Sequence, residues 1–112
     1  MIDSYSFGRM EVNHQMFTSD LIIFPDRVVS SWWRKTGHSL CLEDVEEVFL
    51  EDPAVIVIGT GFSGLMKVEE EVKNKAHSKG IDLILGITEK AVQVFNEIHL
   101  EKKTIGAFHL TC

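Results

Sequence analysis

The stretch Ala54-Val55-Ile56-Val57-Ile58-Gly59-Thr60-Gly61-Phe62-Ser63-Gly64 constrains this chain more than any other. Its apolar run does not alternate with polar residues, so it describes a strand covered on both faces rather than one with a face in water. The run stops at a glycine-rich turn, and a charged segment of helical character follows. Strand, loop and helix in that order predict an α/β fold with a sheet buried between layers.

The rest of the chain fits that frame. Ser4 to Val12 and Gln15 to Ile23 flank Asn13-His14, a pair suited to a tight turn because Asn tolerates positive φ. The predicted N-terminal element is therefore a β-hairpin. Leu21 to Phe24 is apolar and is broken by Pro25-Asp26, and Val28 to Trp33 reads as a further strand. Ser39 to Leu50 carries Leu42, Val45, Val48 and Phe49 at helical spacing, with Cys41 and Asp44 in the places of a capping box. Val68, Val72 and Ala76 mark a second helix that ends at Lys79-Gly80. Ile81 to Ile87 is the next strand, Thr88 caps a helix that runs through Leu100, and Ile105 to His109 is the last strand. These alternating elements imply right-handed crossovers onto one central sheet.

With 112 residues there is room for one domain, 1–112, and for a core that needs no staples. The N-terminus has no basic and apolar regions of a signal peptide, and no segment is apolar for long enough to span a bilayer, so the expected location is cytoplasmic, away from membranes. Net charge is −6 with the basic residues scattered, which disfavours a nucleic-acid partner: phosphates would be repelled at long range. Cys41 and Cys112 are expected as free thiols in that compartment.

An N-terminal I-D-S-Y-S-F-G, the W-W-R at Trp32-Trp33-Arg34, the V-I-G-T-G at Val57–Gly61 and the terminal F-H-L-T-C at Phe108–Cys112 together resemble one small family. It comprises uncharacterised archaeal and bacterial proteins related to the human adipogenesis-associated protein and, more distantly, to mitochondrial complex I assembly factor 3. The resemblance runs over essentially the whole chain. It implies a three-layer α/β fold with a mixed central sheet, no transferable catalytic residue or cofactor, and, from the eukaryotic relatives, action through other proteins.

The chemistry-bearing motifs are incomplete. Gly59, Gly61 and Gly64 spell G-x-G-x-x-G, but Leu65 to Val68 separate them from the next helix, whereas a dinucleotide fingerprint needs the helix directly behind the glycines. Loop amides could instead hold a small anion, with Ser63 nearby and Arg34 reaching over. Ser63 in Gly61-Phe62-Ser63-Gly64 is one residue short of a nucleophile elbow. His109 and Cys112 have a spacing one metal could bridge; His38 and Cys41 share it, but Cys41 falls at a predicted helix start, so no second ligand pair is at a convincing place and no metal is assigned. His109 falls near Gly59 if its strand runs parallel to the first. The acidic runs Glu43–Asp52 and Glu69–Glu71 read as solvated helix faces.

Trp32 and Trp33 cannot both enter one core if they are consecutive in a strand. One is expected inside, and the other at a rim or beneath another layer. A Trp beside an Arg, if exposed, has the composition of a binding hot spot. Two readings follow: a non-enzymatic protein-interaction or assembly-accessory module using Trp32 and Trp33, or an anion- or small-molecule-binding protein, conceivably an enzyme, with a pocket at Gly59, Gly61, Ser63, Gly64 and Arg34. The first is preferred. A monomer is allowed, and so is a homodimer paired through an edge near the N-terminal hairpin.

Overall fold

The central strand behaves as its sequence requires. In the computed structural model, which describes residues 1–112, β7 (Val55–Thr60) has Val55 through Ile58 buried. Before it come β1 (Ile2–Ser6), β2 (Arg9–Val12), β3 (Gln15–Phe17), β4 (Leu21–Ile23), β5 (Val28–Ser30), β6 (Ser39–Leu40) and α1 (Glu46–Leu50). After it come β8 (Lys67–Val68), α2 (Glu70–Ser78), β9 (Asp82–Gly86), α3 (Thr88–Ile98) and β10 (Thr104–His109). Five strands form a mixed sheet in the order β5-β4-β10-β7-β9. Within it β10, β7 and β9 run parallel, and β4 and β5 antiparallel.

Strand alternation sends the two faces of this sheet to different cores. Ile56 and Ile58 join Trp32, Leu40, Val48, Phe49, Val72 and Ala76 beneath α1 and α2. Val55 and Val57 join Ile2, Met10, Val12, Ala91, Phe95 and Phe108 beneath α3 and the N-terminal strands. The result is a three-layer α/β fold, with β1-β2-β3 as a separate antiparallel sheet over one face and the parallel pair β6-β8 over the other. No helix is long and apolar enough to cross a membrane.

Several local expectations change. The segment from Ser4 to Val12 is not one arm, because Phe7-Gly8 turns between β1 and β2 with Gly8 at φ +80°. Asn13 and His14 make the expected tight turn, at φ +49° and +67°, but it joins β2 to β3. The arm from Gln15 to Ile23 then divides between two sheets. The strand from Val28 ends at Ser30, because Ser31 adopts φ +57° and redirects the chain.

Ser39 to Leu50 is not one helix either. Ser39 and Leu40 pair with β8, a 3₁₀ turn spans Leu42–Val45, and α1 begins only at Glu46. Leu40 leaves the helical pattern because β8 supplies backbone partners: the Glu69 amide donates to Leu40 and the Lys67 amide to His38. The proposed cap does form on its acidic side, with the Cys41 N–H donating to Asp44 Oδ2 at 3.0 Å. Thr88 lies inside α3, whose cap is Ile87 and whose last residue is Ile98. Its hydroxyl has another use, described below.

Candidate functional site

Asp20 lies just ahead of β4, and β4 pairs antiparallel with β10 so that Leu21 faces Phe108. That register brings Asp20 against the end of β10. Its Oδ1 accepts the Leu110 N–H at 2.8 Å, and its Oδ2 lies 2.7 Å from His109 Nδ1. Arg34 Nη1 donates to the same Oδ2 at 2.6 Å. All three side chains are largely withdrawn from water, with exposures of 17% for Asp20, 6% for Arg34 and 8% for His109.

Burial pushes the Asp20 carboxyl upward, but the hydrogen bonds from His109, the Leu110 N–H and Arg34, with the nearby His109 charge, outweigh it and lower the pKa to about 2. Asp20 is therefore a carboxylate at neutral pH. A carboxylate oxygen 2.7 Å from Nδ1 requires the proton on Nδ1. The Arg34 Nη2 contact with Nδ1 at 3.1 Å then opposes two donors, and Nη2 has a true acceptor in the Gly37 carbonyl at 3.3 Å. An Asp–His pair of this kind can orient an imidazole for proton transfer. Here the ring's partners are Asp20 and Arg34, and no hydroxyl or thiol is hydrogen-bonded to it. The cluster joins three distant pieces of chain.

The same cluster fixes the W-W-R segment. The Trp32 N–H donates to the Asp20 carbonyl at 2.9 Å, and its indole Nε1–H donates to the Asp44 carbonyl at 3.0 Å. The Arg34 guanidinium lies 5.1 Å from the Trp32 ring centre. The Lys35 amide donates to Asp44 Oδ1 at 3.2 Å. Residues 32 and 34 are thereby anchored inward, and the residue between them points out. Trp32 is 9% exposed and Trp33 is 76% exposed. Trp33 borders a cleft of about 370 Å³ lined by the apolar Ile22, Val29 and Trp32 and by charged residues, among which Lys35 is paired with Glu43 at 2.7 Å and Glu46 and Glu47 leave the balance acidic.

The glycine loop has a different geometry from a ligand cradle. The Gly61 amide donates to Thr88 Oγ1 (2.9 Å), Phe62 to the Thr111 carbonyl (2.6 Å), Gly64 to Gly61 (3.3 Å) and Leu65 to the Cys112 carbonyl (3.2 Å). Gly61 is required there: at φ +109°, a Cβ would stand 2.5 Å from the Cys112 oxygen. Thr88 completes the clamp by donating its hydroxyl to the His109 carbonyl at 2.6 Å. Because β10 runs parallel to β7, His109 lies opposite Thr60 and Phe108 opposite Gly59. Gly59 and Gly64 are closely packed, against Thr88 and Ile87 respectively, and Ser63 makes no side-chain hydrogen bond. Arg34 reaches Asp20, Gly37 and His109 instead of the loop amides. Elsewhere, Asp3, Glu11 and His14 bring potential ligand atoms within 4.8 Å of one another, but Asp3 Oδ2 already accepts the His14 N–H.

Residues 2–110 match a family described as a protein of unknown function (DUF498/DUF598). The chain belongs to that family. Solved structures share its fold. A conserved hypothetical protein from Pyrococcus horikoshii OT3 is 25% identical with a TM-score of 0.88, over 100% of this chain and 99% of that one. A protein from Bartonella henselae, described as an outer membrane protein, is 24% identical with a TM-score of 0.83, over 99% and 94%. A Mth938-like domain from Bordetella pertussis is 16% identical with a TM-score of 0.65, over 98% and 85%.

The sequence picks out Arg34, His109 and the tryptophans, and Asp44 only as a cap, but not Asp20, the acid that joins Arg34 to His109. Asp20 carries one visible signal: it is a lone acid abutting the fully apolar Leu21–Phe24. Asp44 was noticed as a cap, yet its other carboxylate oxygen and its carbonyl hold the W-W-R segment.

Proposed function

We propose that this DUF498/DUF598 chain is a protein-interaction module with Trp33 as its anchor. The observation that carries the reading is that Trp33 is 76% exposed while both of its flanking residues are held by half-buried partners, Asp44 and Asp20. Tryptophan is among the residues that dominate binding energy at interfaces, and a side chain presented by a fixed backbone loses little entropy on docking. The acidic balance of the cleft selects the partner's chemistry: a basic segment whose Lys or Arg lies over the indole and faces Glu46 and Glu47. The resemblance to proteins whose eukaryotic relatives act through other proteins, in adipogenesis and in complex I assembly, favours the same class of role. The alternative, an anion held at Gly59–Gly64, finds the Gly61, Phe62 and Gly64 amides already engaged.

Fluorescence titration with short oligoarginine peptides, using an oligoglutamate control, tests this. The basic peptide should quench the exposed indole, with an affinity that falls as salt is raised, and Trp33→Ala should remove binding while leaving the melting temperature in place. Binding that survives Trp33→Ala refutes the assignment. A small adduct in native mass spectrometry that disappears on denaturation would favour the anion reading instead.

A further inference from the structure

The strand at the far edge of the sheet, β9, pairs only with β7. The Asp82 N–H donates to Ala54, and the Gly86 carbonyl accepts from Thr60 Oγ1, so residues 82, 84 and 86 turn their backbone groups toward β7. By alternation, Leu83 and Leu85 turn theirs outward. Natural sheets protect such edges with lysine, proline, bulges or a covering element. β9 has no lysine and no proline, its pairing with β7 is regular, and Leu85 is 39% exposed.

We infer that β9 is a homodimer interface, pairing antiparallel with β9 of a second copy about a two-fold axis at Ile84. The backbone selects this register. With Ile84 opposite Ile84, each Leu83 faces a Leu85, and these are the residues whose N–H and C=O point outward, giving about four intermolecular hydrogen bonds. The side chains agree on both faces. Leu83 packs toward the α2 side, so the Leu83–Leu85 contacts cover the apolar part of a groove of about 330 Å³ that these two leucines line with Ala76 and Ile81, and that Lys73, His77 and Asp82 border. On the α3 side, Asp82 of one copy faces Gly86 of the other. A Cβ on Gly86 would stand 3.9 Å from Lys90 Cβ, so the two-fold axis brings Lys90 of the second copy toward Asp82. Asp82 and Lys90 form no ion pair within one chain, and the two-fold axis pairs them twice. That self-complementarity, rather than apolar exposure alone, points to a second copy of the chain instead of an unrelated strand.

Sedimentation velocity over a concentration series tests the inference on the whole chain. The expected result is a monomer of 12.7 kDa in equilibrium with a species of twice that mass. Leu85→Lys should raise the dimer dissociation constant by about tenfold or more, with an unchanged urea midpoint showing that the fold is intact. Asp82→Lys and Lys90→Asp should each weaken self-association, and an equimolar mixture of the two variants should restore it as a heterodimer, because both cross-axis pairs are then opposite in sign. A monomer at every concentration overturns the interface. So does a dimer indifferent to Leu85→Lys, or a mixture of the charge variants that fails to reassociate. Trp33→Ala should leave the dimer intact, so failure here and failure of the Trp33 reading are separate outcomes.

Discussion

Asp20→Asn is the most informative single substitution in this molecule. The carboxylate receives Arg34 at 2.6 Å, His109 at 2.7 Å and the Leu110 amide at 2.8 Å. The amide keeps the shape but loses the charge, and its NH₂ must point at one of those donors. Arg34 is then left 6% exposed, with the Gly37 carbonyl at 3.3 Å as its remaining acceptor. Removing one partner of a buried ion pair costs about 3–5 kcal/mol, because the other charge stays desolvated. Asp20 retains 17% exposure, which lets water relieve part of this, so the expected loss is at the lower end, about 3 kcal/mol. Urea unfolding has slopes of about 1–3 kcal/mol/M, so the midpoint should fall by about 1–3 M.

A double-mutant cycle separates this account from generic damage. Arg34→Met removes the charge that Asp20→Asn strands, and the double variant should be more stable than the sum of the two singles by about 1–3 kcal/mol. pH gives a second axis. The folded pKa of about 2 lies below the ordinary 3.8, a difference of about 2 kcal/mol. A depressed carboxylate stabilises above its unfolded pKa, and that stabilisation is lost as pH falls through the folded value. The wild-type advantage over Asp20→Asn should therefore be full at pH 5 and shrink between about pH 4 and pH 2. A loss below about 1 kcal/mol, additive energies, or a pH-independent gap would refute the claim that Asp20 and Arg34 hold each other.

Other substitutions probe the neighbouring parts. Trp32→Ala should cost about 3–5 kcal/mol in urea unfolding, and Trp33→Ala less than about 0.5 kcal/mol, although the residues are adjacent and identical. Gly61→Ala should cost at least about 2 kcal/mol, because it combines φ +109° with a 2.5 Å approach to the Cys112 oxygen. Gly37→Ala, which meets nothing within 4 Å, serves as its control and should be neutral or slightly stabilising by thermal melt. Thr88→Val leaves the Gly61 N–H without its 2.9 Å acceptor and should cost about 1–3 kcal/mol, with faster hydrogen exchange at that amide.

The parallel heart of the fold was legible because it depends on local pattern. Val55 to Ile58 must be buried on both sides whatever their neighbours, and Gly80 ends α2 as a left-handed residue should. What failed depends on partners distant in sequence. Leu40 and Val45 fit one helical stripe, yet Leu40 joins a strand because residues 67–69 happen to lie alongside. Thr88 has the composition of a cap, but its hydroxyl is drawn to the His109 carbonyl, 21 positions away. Asp20 and His109 are 89 positions apart, and no local window connects them. The glycine loop shows the same limit. Its spacing resembles a ligand cradle, while its amides hold residues 111 and 112, a relation visible only once β10 is known to run parallel to β7.

These long-range links bear directly on the proposed recognition. The backbone on either side of Trp33 is positioned by the carbonyl and carboxylate of Asp20 and by the backbone and side chain of Asp44. A partner that docks on the indole thus meets a surface whose ordering was completed on folding, so the entropy of fixing it is not charged to binding. Loosening the hub should weaken recognition even where the contact surface is unchanged: Asp20→Asn, kept below its unfolding midpoint, should bind a basic peptide less tightly than wild type although Trp33, Glu46 and Glu47 are intact. β5, next to this segment, and β9 are the two edges of the same sheet. Pairing through β9 therefore leaves both Trp33 surfaces open, at opposite ends of the joined sheet. Two such sites on one rigid body would favour a partner with repeated basic segments over one with a single segment, by effective concentration rather than by any new contact.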